Sequence, residues 1–311
     1  MDVASMLREA VSQIPDGDYT AGLRAVVRHI DAAIKHFERA QSTQEEDAFT
    51  DSIYRTNQAY EGSLKEAYRV ISGENPTKKT LFEIEGYLQG NHDLRARVLT
   101  QMARYREDYR NPSTHDYKLD FDENEALLAI LSVAAFAKLL ADQISTKVSF
   151  NQAKLDIEKS STKIPVVKGD DADSFFENLS NSLLNFLNKS SLDGVTEREN
   201  AALISAYLAS ANVPFESDVE VDTERYIIEW DVIVEYSKDV KIGFDIKSSR
   251  GRQSPEITEE RASNLLDWLH DGKMRFGILV EGAARGQKYV RNEFMSAQGV
   301  KVHRLGRQAL D

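Results

Sequence analysis

The stretch that decides the fold of this protein is IIEWDVIVEYSKDVKIGFDIK, residues 227–247. Apolar and polar residues alternate along both of its halves, with the period of two that is typical of strands with one buried face. The apolar positions are Ile228, Trp230, Val232, Val234 and Tyr236 in the first half and Val240, Ile242, Phe244 and Ile246 in the second. Ser237-Lys238-Asp239 separates the halves and suits a turn. We therefore predict an antiparallel hairpin with its apolar residues on one face.

The turn at residues 237–239 also predicts how the two strands pair. Tyr236 then faces Val240, and counting five residues away from the turn along each strand places Asp231 directly opposite Asp245. Both aspartates lie on the face away from the apolar stripe. The polar face of the hairpin therefore carries two carboxylates side by side.

The same pairing gives the aspartates two further neighbours. Glu229 falls opposite Lys247 on the polar face, and Gly243 falls opposite Ile233. Because glycine has no side chain, this register leaves space beside the two carboxylates. The polar face is therefore a candidate binding site.

Facing carboxylates repel, and each raises the pKa of the other unless a cation lies between them. A divalent ion such as Mg²⁺, bound by Asp231 and Asp245 and completed by phosphate oxygens of a substrate, relieves this repulsion. Lys247 shares the face of Asp245 and would orient or deprotonate an attacking water. The alternative interpretation is an acid–acid–lysine cluster on a solvated sheet face, which is the commoner meaning of an Asp-x-Lys triplet.

Asp231 and the triplet Asp245-Ile246-Lys247 together resemble the motif of the PD-(D/E)xK nucleases, the family with the restriction-endonuclease-like fold. Trp230 stands in the place of the motif's proline, which is a common departure. The resemblance implies that Asp231 and Asp245 bind Mg²⁺ or Mn²⁺ with help from the carbonyl oxygen of Ile246. It also implies that Lys247 positions the water that hydrolyses a phosphodiester bond in DNA or RNA.

The resemblance further implies an α-β-β-β-α-β core with a mixed central sheet, and the sequence around the hairpin supplies its elements. These are a helix at 196–211, a strand at 215–221, a helix capped by Thr258 at 258–270, a strand at 274–280, a helix at 287–297 and a strand at 300–305. In this family a glutamate of the first helix often completes the metal site. Glu197 is in phase with the apolar stripe of that helix and Glu199 is one step off it, so we predict Glu197.

The composition of the whole chain limits its class. Its 311 residues, 41% of them hydrophobic, suffice for two domains with packed cores. The lack of cysteine excludes disulfides and thiolate metal sites and suits a cytoplasmic protein. No signal peptide is visible at the N-terminus, and the most apolar stretch, 126–141, is too short to cross a membrane. We therefore expect a soluble cytoplasmic protein that does not contact a membrane.

The net charge of −12 argues against a protein that grips duplex DNA by bulk electrostatics. The charge is uneven, however, because basic residues concentrate after residue 272 while acidic residues become fewer. The basic residues there are Lys273, Arg275, Arg285, Lys288, Arg291, Lys301, Arg304 and Arg307. They would form either a local phosphate-binding face or an ordinary solvated surface.

The first half of the chain has the apolar period of helices. The predicted helices are 3–14, 20–40, 49–71, 81–88, 94–109 and 122–144, the last with a capping pair at Asp122 and Glu125. Pro112 is expected to end the fifth helix. Short connections between amphipathic helices indicate an α-helical bundle.

Between the last two of these helices lies YRNPSTHDY, residues 109–117. Arg110 and His115 resemble the R-x4-H motif of HEPN ribonucleases, including the polar Asn111. Without any metal, the histidine would move a proton at the ribose and the arginine would stabilise negative charge on phosphorus. The resemblance implies a homodimer through the helical domain, which assembles a composite site. Alternatively, Arg110 caps a helix end, His115 is a loop residue, and the bundle is a non-catalytic dimerisation module.

Together these patterns predict a multidomain α+β protein with an all-α HEPN-like domain at 1–146, a linker at 147–172 and an α/β nuclease-like domain at 173–311. The leading hypothesis is a metal-dependent nuclease, an effector of prokaryotic anti-phage or abortive-infection defence that acts with a partner protein. One alternative is a metal-independent HEPN ribonuclease whose second domain is a sensor or targeting module. Another is a non-catalytic dimer that binds nucleic acid or a partner.

Overall fold

The apolar periods of the first half form helices in the computed structural model, which describes residues 2–45, 47–90, 96–116, 118–159, 167–189, 196–248, 255–282 and 288–307. The chain divides into two units, Met1–Val148 and Ser149–Asp311. The helices that begin in the first unit are α1 (Val3–Gln13), α2 (Thr20–Thr43), α3 (Asp47–Ser72), α4 (Leu81–Gly90), α5 (Ala96–Tyr105), α6 (Asn111–His115) and α7 (Glu123–Lys159). A short 3₁₀ helix, Pro76–Lys78, follows α3, and a π-helical turn, Arg106–Arg110, joins α5 to α6.

The helices of the first unit bury apolar stripes in one shared core. On α2 the stripe contains Leu23, Val26 and Ile30, spaced three and four residues apart and all buried. Residues of α3 and α7 join the same core. The predicted capping pair of α7 is confirmed, because the Asp122 N–H donates to Glu125 and the Glu125 N–H donates to Asp122, both at 2.9 Å.

Pro112 does not end a helix, contrary to the sequence prediction. The π-helical turn leads directly into α6, and Pro112 lies in the first turn of α6. Proline is tolerated at such a position, where its missing N–H and its fixed φ do least harm to the helix. Arg110 and His115 are therefore both helical residues, so His115 is not the loop residue that one interpretation required.

α7 continues through Lys159, so residues 147–159 of the predicted linker are helical. Residues 160–166 of that linker lie outside the described residues. By length and composition, α7 is the one described helix that passes as a membrane span, although the sequence predicted no stretch of sufficient length. Half of its most apolar window is buried, as in the core helix of a bundle, so this is weak evidence for a membrane.

The second unit combines helices with one mixed sheet. Its elements are α8 (Ala172–Lys189), α9 (Glu197–Ser210), β1 (Phe215–Asp222), β2 (Ile227–Ser237), β3 (Val240–Lys247), α10 (Pro255–Asp271), β4 (Phe276–Glu281), β5 (Tyr289–Met295) and β6 (Lys301–Arg307). In the described residues the strand order is β1-β2-β3-β4-β6-β5. β3, β4 and β6 pair in parallel and the other pairs are antiparallel, so the predicted mixed sheet is confirmed.

The predicted hairpin is formed by β2 and β3. They pair in the predicted register at Ile233↔Gly243 and the neighbouring positions. At the turn the register shifts, so that Ser237 and not Tyr236 faces Val240. The extra residue is a β-bulge, which leaves a two-residue turn between the strands.

The prediction of one apolar face on β2 is wrong. Val232 and Val234 belong to the core that contains α8 and α9, whereas Ile228 and Trp230 pack with Ile233 and α10. Alternate residues of a regular strand share a face. The strand therefore changes face between Trp230 and Val232, at the position of Asp231.

Two features of the neighbouring strands accompany this change of face. Asp218, the β1 residue beside Asp231, has a φ of +54°, which is uncommon for a residue other than glycine. Gly243 of β3 makes room for the Trp230 indole, because a Cβ at Gly243 would lie 2.5 Å from a ring carbon. The space that the sequence predicted beside the carboxylates is therefore filled by Trp230.

Two other predictions in this unit are wrong. Residues 289–295 form β5, within the stretch predicted as a helix at 287–297. Tyr289 packs on the α8 side of the sheet and Phe294 on the α10 side, as expected for a strand, and pairing with β6 satisfies the backbone groups. α10 begins at Pro255, so Thr258 lies inside the helix and does not cap it.

Candidate functional site

The candidate site begins where the regular pairing of β2 with β3 ends. Beyond Val232↔Phe244 the side chain of Asp231 takes the place of a backbone partner, because the Ile246 N–H donates to Asp231 Oδ2 at 2.6 Å. A charge-assisted hydrogen bond of this kind is stronger than a neutral one. It holds the Asp231 carboxylate next to the residue that follows Asp245.

Asp245 and Lys247 are two residues apart on β3 and therefore share a face. Lys247 Nζ lies 2.8 Å from Asp245 Oδ1, with the Asp245 side chain 9% exposed and the Lys247 side chain 32% exposed. On its other edge β3 pairs in parallel with β4, which places Lys247 beside Glu281. Pairing with β4 on one side and the Asp231 carboxylate on the other thus fix the backbone of the triplet.

α9 brings an acidic residue from a distant part of the sequence. Glu197, in the first turn of α9, has Oε1 at 3.6 Å from Lys247 Nζ. Glu199 instead closes a capping box with Thr196, in which each side chain accepts from the backbone N–H of the other. Of the two glutamates that the sequence offered, the structure brings Glu197 to the triplet.

The charges of this site do not balance. Asp231, Asp245 and Glu197 carry −3 when ionised and Lys247 carries +1, which leaves −2. The pKa of Asp231 is raised to about 7, first by burial and then by Asp245 and Glu197, although the Ile246 N–H and Lys247 act in the opposite direction. Burial lowers the pKa of Lys247, but its acidic neighbours outweigh burial and hold that pKa above its usual range. A further positive charge would therefore stabilise the site.

The donor set suits a divalent cation such as Mg²⁺ or Mn²⁺. Asp231 and Asp245 offer carboxylate oxygens, the ligands that these hard cations prefer. The Lys247 carbonyl points to the β4 side, because it accepts a hydrogen bond from the Gly282 N–H. Consecutive strand residues direct their carbonyls to opposite sides, so the Ile246 carbonyl points to the side of Asp231, as the Ile246 N–H does. Two carboxylates, one carbonyl and a local charge of −2 fit the metal that the sequence motif implies.

The sequence did not predict a buried ion cluster at the end of β4. Glu281 is fully buried, its Oε2 accepts from Arg304 Nε at 2.5 Å, and its Oε1 accepts from Arg261 Nη1 at 2.9 Å. The predicted strand ended at residue 280, one position too early to include this carboxylate. An acidic residue directly after an apolar strand was the only signal of it.

Glu177, Glu293 and His303 form a second set of potential metal ligands, with one ligand atom of each within 4.8 Å of the others. Arg291, however, lies 2.8 Å from Glu177 and 2.5 Å from Glu293. Burial lowers the pKa of His303 to about 4, which keeps the imidazole neutral, and its Nδ1 lies 2.8 Å from the Ser180 hydroxyl. Arg291 offsets one of the two carboxylate charges, so this set combines an ion-pair network with ligand atoms that could hold a metal ion.

Four of the eight basic residues near the C-terminus are paired with acidic residues of the same unit. Arg275 and Lys301 both contact Asp173 of α8. Arg291 contacts Glu177, and Arg304 contacts Glu281. Arg285 lies outside the described residues. Half of the residues that suggested a phosphate-binding face are therefore held in ion pairs.

Arg110 and His115 lie in the first unit and do not meet within one chain. Arg110 Nη2 is 3.4 Å from Glu61 Oε1, and Nη1 is 3.1 Å from Asn111 Oδ1. His115 is exposed at the end of α6. Residues five apart on a helix point about 140° away from each other around its axis. In the described part of the chain, Glu61 and Asn111 hold the guanidinium, and the imidazole faces solvent.

The residues predicted from the hairpin motif thus converge in the second unit, and those predicted from the R-x4-H motif remain apart in the first. The converging residues are Glu197, Asp231, Asp245, Ile246 and Lys247. Comparison of the chain with protein-family models, with curated proteins and with solved structures found no match.

Proposed function

We propose that this chain is a metal-dependent nuclease whose active site lies where the pairing of β2 with β3 stops, at the C-terminal end of β3. The observation that carries the proposal is the convergence of Glu197 with Asp231, Asp245 and Lys247 around one part-buried ion pair. A solvated acid–lysine cluster would leave its carboxylates in water, where the pKa of an aspartate stays near 4. Burial and two neighbouring acids raise the pKa of Asp231 to about 7. Such perturbed groups are typical of active sites.

The order of elements in the second unit also supports the proposal. α9, the three strands β1 to β3, α10 and β4 follow one another along the chain. This is the α-β-β-β-α-β order that the resemblance to PD-(D/E)xK nucleases implies. β5 is an additional strand at the sheet edge, inserted before β6. Asp245 and Lys247 lie at the C-terminal end of β3, a central strand of the sheet, and Asp231 lies beside them within β2.

In the proposed reaction, Asp231 and Asp245 hold Mg²⁺ or Mn²⁺ together with the Ile246 carbonyl. When bound, such an ion supplies a Lewis acid for a phosphate oxygen and lowers the pKa of water. Lys247 stays protonated at neutral pH because its pKa is above its usual range, so it orients a water or a phosphate oxygen and does not remove a proton. Asp245 and Glu197 both hold the ammonium group, with Asp245 the nearer of the two.

The test is cleavage of labelled single-stranded RNA, single-stranded DNA and duplex DNA, each with Mg²⁺ or with EDTA. We expect the wild-type chain to cleave at least one of them in Mg²⁺ and none in EDTA. Lys247→Ala should cleave at least about 100-fold more slowly, because it removes the donor that orients the reacting groups. Lys241→Ala is the matched control, since Lys241 lies on the same strand, is exposed, and should be dispensable.

Two results would contradict this proposal. One is cleavage that persists at the wild-type rate in EDTA. The other is equal cleavage by the wild-type chain and Lys247→Ala while both remain folded. Either would mean that the hairpin cluster is not the active site.

A second candidate function is metal-independent RNA cleavage at Arg110 and His115. The observation in its favour is the π-helical turn Arg106–Arg110, because such turns are rare and are frequent at functional sites. This function requires a homodimer through the helical unit, which light scattering would measure. RNA cleavage that survives EDTA and is lost in His115→Ala would favour it. Binding of nucleic acid without any cleavage would favour a non-catalytic protein.

A further inference from the structure

In the buried ion cluster of Glu281, Arg304 and Arg261, one carboxylate contacts two guanidinium groups. Arg304, with a side chain 5% exposed, already neutralises Glu281 and also donates to Asn292 at 3.1 Å. Arg261 adds a second guanidinium from α10. Glu281 thus holds two guanidinium groups, one from β6 and one from α10.

This cluster lies beside the proposed active site. β3 and β4 pair in parallel with Lys247 next to Glu281. Paired residues of adjacent strands are about 5 Å apart and project to the same face of the sheet. The Glu281 carboxylate therefore lies on the face of Asp245 and Lys247, and it holds the Arg261 guanidinium there through a 2.9 Å hydrogen bond.

Arg261 and Arg304 differ in their access to solvent. The Arg304 side chain is almost completely buried, which suits a structural role. The Arg261 side chain is 31% exposed, so a ligand can reach it. The Glu281 carboxylate thus fixes both arginines, but of the two only Arg261 has a guanidinium that is held in place and also accessible to solvent.

We infer that Arg261 binds a phosphate of the nucleic-acid substrate adjacent to the phosphate that is cleaved. This inference rests on the proposed nuclease function. The acidic site repels a phosphate backbone, and a cation on the same face offsets that repulsion. A guanidinium has five N–H donors in a planar fork that matches phosphate oxygens. Because Glu281 already holds Arg261 in place, binding immobilises little additional side-chain freedom.

The test compares Arg261→Ala, Arg261→Lys and the control Arg225→Ala in steady-state cleavage with Mg²⁺. Arg225 is 76% exposed and pairs with Asp271 at the end of α10, away from Glu281. We expect Arg261→Ala to raise KM about tenfold or more with a much smaller change in kcat, since it removes a charged hydrogen bond to a phosphate that does not react. Arg261→Lys should recover part of the loss, and Arg225→Ala should behave as the wild type.

Binding and folding controls separate this role from a structural one. In the Lys247→Ala background, anisotropy of the labelled oligonucleotide measures binding without cleavage. In that background, Arg261→Ala should weaken binding of the oligonucleotide. It should also reduce the dependence of the affinity on salt by the amount expected for about one phosphate contact. Thermal unfolding measures whether Arg261→Ala, which leaves Glu281 with one partner fewer, destabilises the chain. If it does, Arg261→Lys is the variant to compare, because it keeps a positive charge beside Glu281.

The outcomes distinguish this inference from the function on which it rests. Wild-type cleavage with an unchanged KM and unchanged binding in folded Arg261→Ala and Arg261→Lys overturns the role of Arg261 and leaves the nuclease proposal standing. A wild-type chain that cleaves no nucleic acid in Mg²⁺ overturns the nuclease proposal, and the inference falls with it. A KM that rises in Arg261→Ala and partly recovers in Arg261→Lys supports both.

Discussion

At the scale of single residues, Asp231 links the fold to the proposed chemistry. Its carboxylate binds the Ile246 N–H where the β2–β3 pairing ends, and the apolar stripe of β2 changes face at the same position. Its pKa of about 7 means that burial and acidic neighbours outweigh the hydrogen bond and Lys247. The ionised carboxylate therefore destabilises the folded chain when no cation balances it.

This gives a prediction for the pH dependence of stability. The pKa of Asp231 is raised from 3.8 to about 7 on folding, so its contribution to stability is fully present below pH 4 and is lost as the pH rises through 7. Asn at this position keeps an oxygen for the Ile246 N–H and carries no charge. We expect Asp231→Asn to raise the free energy of unfolding at pH 8 by up to about 4 kcal/mol, at about 1.4 kcal/mol per pKa unit, and to change it little at pH 4.

Urea unfolding in the absence of divalent ions measures this difference. Asp239→Asn, in the exposed turn of the same hairpin, is the control for the same change of side chain at an exposed position. If Asp231→Asn is no more stable than the wild type at pH 8, the carboxylate is not destabilised by its surroundings.

At the scale of elements, the β2–β3 hairpin depends on one close approach between its strands. Gly243 faces the Trp230 indole, and both lie on the α10 side of the sheet. Alternating hydrophobicity predicted both strands, but it could not detect a change of face inside β2. The placement of Trp230 depends on the contact with α10, which involves residues far away in the sequence.

We predict opposite effects for two glycine-to-alanine substitutions. Gly243→Ala places a Cβ 2.5 Å from a Trp230 ring carbon, and the resulting strain of about 1–3 kcal/mol outweighs the lower chain entropy of alanine. Gly86→Ala, inside α4, meets no atom within 4 Å and should stabilise its helix by about 0.5–1 kcal/mol. Urea unfolding of each variant measures the change, and equal effects of the two would contradict the close approach of Trp230.

At the scale of the whole molecule, electrostatics limits how the chain can bind nucleic acid. The net charge is −12, and most described basic residues of the C-terminal stretch contact acidic partners. Attraction must therefore be local, at cations such as Lys247 and Arg261. A few phosphate contacts give a shallow dependence of affinity on salt.

We expect the affinity of Lys247→Ala for a single-stranded oligonucleotide to fall only about 3- to 7-fold between 50 and 200 mM salt, as for one or two phosphate contacts. Fluorescence anisotropy over this range measures the slope. A decrease of 10³-fold or more, as for six to ten contacts, would mean that an extended basic surface binds the substrate. That result would contradict the pairing of these residues seen in the second unit.

Much of the architecture was predictable because it depends on local period and spacing. The alternation in residues 227–247 predicted the hairpin and its main register, and helical spacing predicted a helical first half and a mixed second half. The predicted pair of Asp231 with Asp245 lies one position beyond the last observed pair, Val232↔Phe244, and Asp231 instead binds the Ile246 N–H. Glu197 was chosen by its phase on a helix, and α9 brings it to Lys247.

Other features were decided by tertiary structure. β5 is a strand because β6 offers it backbone partners, although its own pattern resembles a helix. The π-helical turn keeps Pro112 within a helix, and the contact of Trp230 with Gly243 sets the face of β2. The cluster of Glu281 with Arg261 and Arg304 joins three separate elements. The sequence by itself determined the elements and the motif, because both are short-range; only the folded chain decided which distant charges meet, because burial and pairing depend on the whole sheet.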